Sequence, residues 1–145
     1  MWKSIHQLPP KHAEVIFLYN HDLLPTNERM KRLNQRKTAH CPICKICKET
    51  LKHLTIRCSR RKDTTRWILK SLRKQGYKGK LDEALRGMVK KKEELVTVAA
   101  SLWAIWKARK RGSVPKAYQI EKEIRGIKEQ LIETNEARKE KNKLK

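Results

Sequence analysis

The sequence predicts a mostly α-helical fold, a small helical domain built around a compact Cys/His segment and followed by a C-terminal amphipathic helix. Three observations predict it. Apolar residues recur at three- and four-residue intervals in successive stretches of the 145 residues, which is the helical period. Pro9-Pro10, Pro25, Gly76, Gly112 and Pro115 punctuate those stretches. All four cysteines fall between residues 41 and 58, where they can organise a domain whose own core is modest, since aromatic residues make up 6% of the chain and the mean hydropathy is -0.83. Small chains with little core commonly rely on a metal or a partner for stability. No β-strand pattern and no internal repeat stands out.

The elements follow in order. Pro9-Pro10 precede a run of helix formers over residues 11–20, with Ala13, Val15, Ile16, Phe17, Leu18 and Tyr19 apolar, and proline just ahead of such a run is a start signal. Leu23-Leu24-Pro25-Thr26 breaks that helix and supplies Thr26 as cap for a second, over residues 27–34. There Met30 and Leu33 are expected to face inward, while Arg29, Lys31, Arg32, Arg36 and Lys37 make the other side basic. The cysteine segment occupies residues 40–58. Residues 60–75 read as a helix with Trp67, Ile68, Leu69 and Leu72 apolar and Gly76 as its stop. Residues 81–88 form a short helix candidate.

Over residues 92–110, Leu95, Ala99, Leu102, Trp103 and Trp106 repeat at helical spacing, and Val98 and Ile105 widen the face. This is expected to be the best-buried element. After Gly112 and Pro115, the residues Ile120, Ile124, Ile127 and Leu131 alternate by four and three. That is a coiled-coil-like seam shorter than two clean heptads, expected to pack on the domain rather than dimerise, so that the chain is a monomer. Residues 138–145 are expected to fray. The division expected is residues 1–111 as one domain and 112–145 as a linker and charged amphipathic helix.

Charge narrows the function. Thirty-seven Lys and Arg face fifteen Asp and Glu, for a net charge of +22 and a pI near 10.2. A surplus of that size repels itself in the compact state unless a polyanion or salt screens it, so nucleic acid, RNA or DNA, is the expected partner. The longest apolar stretch, residues 95–106, is too short to span a bilayer, which argues against a membrane protein. Nothing resembles a signal peptide, and an intracellular, nuclear location is expected. In such a compartment clustered cysteines bind metal more often than they form disulfides.

Cys41, Cys44, His53 and Cys58 give C-x2-C-x8-H-x4-C. Two cysteines two apart place both sulfurs on one ion within a tight turn, and the His-x4-Cys pair can close the tetrahedron from a helix and the turn after it. Zinc suits these donors because it is borderline-soft and takes four of them without geometric strain. Cys44, Cys47, His53 and Cys58 would also supply a C-x2-C pair, but Cys41-Pro42-Ile43-Cys44 has the better turn residue, which makes Cys47 the spare. His40 could substitute but lacks a helical frame. One Zn²⁺ with four protein ligands is a closed, structural site. Lys45, Lys48, Lys52, Arg57, Arg60, Arg61 and Lys62 flank it and are the candidate phosphate contacts.

The order Leu23-Leu24-Pro25-Thr26-Asn27-Glu28-Arg29, Cys41-Pro42-Ile43-Cys44, Glu49-Thr50-Leu51-Lys52-His53-Leu54, Cys58 and Trp67 resembles the zinc-binding segment that follows the reverse transcriptase domain of non-LTR (LINE-type) retrotransposons. Leu102-Trp103-Ala104-Ile105-Trp106-Lys107-Ala108-Arg109 is similar to a helix downstream in some members. The resemblance covers roughly residues 2–111. It implies that Cys41, Cys44, His53 and Cys58 hold the zinc. It also implies binding of element RNA or target DNA during target-primed reverse transcription, beside a reverse transcriptase domain in cis or trans. Two departures stand out: Cys47 is extra, and Lys45 occupies the place of a glycine.

No Tyr-x-Asp-Asp-type motif is present, so the chain is not expected to be an enzyme, but a fragment or derivative of an RNA-directed DNA polymerase polyprotein. Glu49 and Asp63 read as isolated, and Glu93-Glu94 and Glu121 to Glu123 as solvated helix faces, so no hydrolase site is expected. Trp2, Trp67, Trp103 and Trp106 could stack bases, but the last three fall on apolar helical faces and are expected in the core. The alternative function is a protein-interaction adaptor acting through the seam on the C-terminal helix.

Overall fold

The computed structural model describes Ile5 and residues 7–143, and Trp2 lies outside the described residues. The chain forms α1 (Pro10–Asn20), α2 (Asn27–Arg32), a π-helical turn (His53–Arg57), a 3-10 turn (Ser59–Arg61), α3 (Lys62–Lys74), α4 (Leu81–Leu85), α5 (Lys92–Lys110) and α6 (Ala117–Lys143). Among the described residues there is no strand, and the one extended pairing is an isolated antiparallel bridge between His40 and Lys48. The fold is mostly α, as the periodicity predicts.

Pro10 opens α1 in the first turn, where a missing N–H costs nothing. The Thr26 hydroxyl accepts from the Arg29 N–H at 3.4 Å and caps α2. That helix ends at Arg32, short of the expected 34. Asn34 turns left-handed at φ 58°, and the Gln35 N–H reaches back to the Met30 carbonyl at 2.8 Å. Asparagine tolerates this conformation better than most residues, so the chain reverses there. Leu33, expected to face inward, is consequently 51% exposed.

α5 runs through the middle of the molecule. Leu95, Val96, Val98, Ala99, Ala100, Leu102, Ala104, Ile105 and Trp106 are buried around almost its whole circumference, because α1, α3, α4 and α6 all pack on it. At its start the Glu94 carboxylate accepts from the Lys91 N–H at 2.9 Å, so Glu94 is a buried cap and not part of a solvated face. Trp103 is only half-buried, with Lys11 and Lys107 lying 6.0 and 5.9 Å from its ring.

The core crosses residue 111. Ile120 and Ile127 of α6 are buried against α5, with Ile124 and Leu131 partly so. The Thr64 hydroxyl donates to the Pro115 carbonyl at 2.8 Å, and Glu123 pairs with Lys107 at 2.6 Å and His12 at 3.2 Å. Glu123 therefore joins three helices instead of facing solvent. α6 also continues to Lys143, past the expected fraying at 138, through a run of strong helix formers exposed on all sides.

Candidate metal centre

The metal segment starts as a loop that folds back on itself at the His40–Lys48 bridge. The Glu49 N–H donates to the Ala39 carbonyl and the Cys41 N–H to the Cys47 carbonyl, both at 2.8 Å. The Lys45 N–H closes the turn onto the Cys41 carbonyl at 2.9 Å, and the Ile43 N–H points at Cys41 Sγ at 3.4 Å. To complete this turn Lys45 adopts φ 60°, the left-handed region that favours glycine. The departure at this position is thus a backbone matter.

The second half is helical. The Thr50 hydroxyl accepts from the His53 N–H at 3.1 Å, and the chain then widens into the π turn, closed by the Cys58 N–H on the His53 carbonyl at 3.0 Å. A π turn spans five residues where an α turn spans four, which brings His53 and Cys58 to one side despite their x4 spacing.

The two halves converge. The donor atoms of Cys41, Cys44, His53 and Cys58 all lie within 4.8 Å of one another, and Cys44 Sγ stands 3.3 Å from His53 Nε2. A tetrahedron with arms of about 2.0–2.3 Å has edges of about 3.3–3.8 Å, so this separation suits a shared zinc ion. Cys41, His53 and Cys58 are buried and Cys44 is half-buried. Cys47 is exposed and outside the cluster, its carbonyl serving the turn. His40 is exposed too, its Nδ1 within 3.0 Å of the Thr38 hydroxyl.

The electrostatics suit the ligand roles. Burial, with the nearby Arg61 guanidinium, holds the His53 imidazole below its ordinary value, which keeps it in the neutral form that binds metal. Burial pushes the Cys58 thiol up. The same effect acts on Cys44, but the backbone N–H groups of Cys47 and Ile46 outweigh it and bring that thiol down.

Six of the seven cations expected to contact phosphate, Lys45, Lys48, Lys52, Arg57, Arg60 and Lys62, are exposed. Arg61 is not: the 3-10 turn after Cys58 folds it inward until it is 1% exposed, with Nη1 3.9 Å from Cys41 Sγ. It therefore cannot meet a polyanion. Lys52 and Arg57 line an open cleft of about 590 Å³ together with Arg29, Arg32 and Arg86, against the acidic Asp22 and Glu28. Of the tryptophans, Trp106 is buried and Trp67 half-buried.

Glu49 is not an isolated carboxylate. Arg109 of α5 donates Nε to Glu49 Oε2 at 2.7 Å and Nη2 to Oε1 at 2.6 Å. The Asn27 N–H also meets Oε1 at 2.6 Å, and the Asn27 carboxamide donates to the His40 carbonyl at 2.6 Å. This network ties the metal segment to α2 and α5. Local spacing carries no signal for it, because Glu49 and Arg109 are sixty positions apart.

Residues 1–64 match the family model described as zinc-binding in reverse transcriptase, a span that contains all four clustered Cys and His residues. No curated protein and no solved structure matches the chain. The chain thus carries a helical zinc-binding module, whose matching family is a metal-binding domain and not a catalytic polymerase domain. No helix among the described residues is long and apolar enough to cross a membrane.

Proposed function

We propose that this chain is a monomeric nucleic-acid-binding module with one structural zinc, of the kind that follows the reverse transcriptase of non-LTR retrotransposons, with no polymerase motif within these 145 residues. Residues 1–111 would form the module and 112–145 its linker and supporting helix. The observation that carries the reading is the ring of exposed cations on the zinc segment, Lys45, Lys48, Lys52, Arg57, Arg60 and Lys62, in a chain of net charge +22. The metal supplies rigidity: a closed four-ligand centre leaves no open position for a substrate or an activated water. The turn at residues 41–45, the π turn and the start of α3 then hold their lysines and arginines at fixed positions, where they displace counterions from RNA or DNA phosphates.

Such contacts position the polymer without reading much sequence, and the half-buried Trp67 and Trp103 leave little free aromatic surface for base stacking. The partner acting beside it would be a reverse transcriptase domain, in cis or in trans, and the site of action nuclear. The adaptor alternative gains no support, since Ile120 and Ile127, two of the four seam residues, are buried against α5.

The test is the salt dependence of binding to single-stranded RNA and duplex DNA. Log K should fall linearly with log salt, and Arg57→Ala/Arg60→Ala/Lys62→Ala together should reduce the slope by roughly 0.7–0.9 for each phosphate no longer neutralised, with zinc content unchanged. A triple variant with an unaltered slope would move the binding surface away from the zinc segment. Absence of measurable binding at low salt would sink the reading.

A further inference from the structure

Arg61 is fully buried, at 1% exposure, and a guanidinium is a cation that needs an anion or acceptors around it. Among the described residues no carboxylate pairs with it. Its Nη1 reaches Cys41 Sγ at 3.9 Å, while Nε and Nη2 have no hydrogen-bond partner among the described residues. The other buried arginine shows the contrast, because Arg109 is held on both sides of its fork by Glu49. A buried, unpaired guanidinium is strongly unfavourable, and a fold that contains one requires an anion beside it.

We propose that the counter-ion of Arg61 is the metal–thiolate centre itself. Three thiolates, one neutral imidazole and one Zn²⁺ sum to -1, and Arg61 brings the buried assembly to zero. The local chain builds this in. The Arg61 N–H donates to the Cys58 carbonyl at 3.0 Å, and the Thr65 hydroxyl donates to the Arg61 carbonyl at 3.0 Å, so the residue is pinned between the last ligand and α3. Its side chain then passes back to the first ligand, Cys41. Arg61 thus matches the centre to three thiolates: two would leave a net positive charge buried, and four a net negative one. Donation to sulfur also withdraws electron density from the thiolate, which makes it a poorer target for electrophiles.

The charge relation gives a readout that a merely structural side chain would not. Arg61→Met removes the counter-charge from the zinc-loaded protein, whereas without zinc the segment around Arg61 has no folded centre for the charge to act on. Zinc-loaded R61M should therefore melt below the zinc-loaded wild type, while the two zinc-free proteins should not differ. Competition with a chromophoric chelator on the full chain should show zinc held 10–100-fold more weakly in R61M, the usual effect of losing a partner behind a metal ligand. Arg61→Lys should stay within about threefold of wild type on the same scale, and the exposed neighbour Arg57→Met should change nothing.

In a Cys44→His background the centre is already neutral, and R61M should there cost less than about threefold. Equal zinc affinity of R61M and wild type, or a tenfold loss that persists in the Cys44→His background, would overturn the proposal. If R61M yields no folded protein even with zinc, R61K and Arg61→Gln decide by the same competition. R61K holding zinc no better than R61Q would then reject the charge relation.

Discussion

Arg109 and Glu49 form a bidentate ion pair in the interior, the arginine 6% exposed and the carboxylate fully covered. It is the main polar link between the metal segment and the central helix, and Arg109 also lies 4.7 Å over the Trp106 ring. Removing the arginine alone strands a buried carboxylate. Arg109→Ala should lower the stability of the zinc-loaded protein by about 3–5 kcal/mol in denaturant melts. Arg109→Met combined with Glu49→Gln should cost less than Arg109→Met by itself. A single-variant loss under about 1 kcal/mol would mean that water reaches Glu49 and the pair is not sealed.

Structural zinc contributes on the order of 10–16 kcal/mol of apparent binding energy near neutral pH, as much as or more than a whole domain's stability. Chelation, Cys44→Ser or His53→Ala should therefore unfold at least residues 40–75, seen as lost hydrogen-exchange protection, while the exposed Cys47→Ser keeps stoichiometric metal. Zinc lost in Cys47→Ser but kept in Cys41→Ser would transfer the site to the other cysteine pair.

Lys45 sits at φ 60°, where a side chain costs about 1–2 kcal/mol and glycine costs less than that in lost chain freedom. Lys45→Gly should leave zinc content intact and raise stability by up to about 1 kcal/mol. Lys45→Ala, which keeps the strain, should not, and comparing the two separates backbone relief from the loss of one positive charge.

The His12 imidazole is held below its ordinary value of 6.5, first by burial and then by the charges of Lys107 and Lys11, against the upward pull of Glu123. Below pH 6.5 the unfolded chain therefore binds more protons at this site than the folded one. The stability due to neutral His12 is complete above 6.5 and is lost as pH falls through the lower folded value. Glu123 acts in the same direction at lower pH. Burial pushes its carboxyl up, but the Lys107 ammonium prevails and holds it down. Melts at saturating zinc between pH 7.5 and about 5 should fall less steeply for His12→Gln than for the wild type. Parallel curves would show that the zinc ligands alone set the acid limb.

What the sequence reveals here follows from range. α5 is legible to its ends because Leu95, Ala99, Leu102 and Trp106 repeat at the period of the helix they make. The four clustered Cys and His residues are legible because eighteen consecutive positions contain them all. Arg60, Arg61 and Lys62 are chemically equivalent on paper. Only the 3-10 turn after Cys58 decides that the middle one points inward. Leu33 fails as a core residue because Asn34 reverses the chain beside it. Glu49 and Arg109 are invisible to any local pattern, although both lie within the motifs that carry the family resemblance.

The π turn has a consequence for length variation in this segment. An α-helix advances 3.6 residues per turn, so residues five apart point well away from each other and residues four apart share a face. His53 and Cys58 share a face only because one surplus residue is stored in a widened ring. That ring acts as slack: deleting a single residue from positions 54 to 57 lets the helix tighten to its ordinary gauge and still deliver both donors. Adding one there exceeds what a single turn can take up.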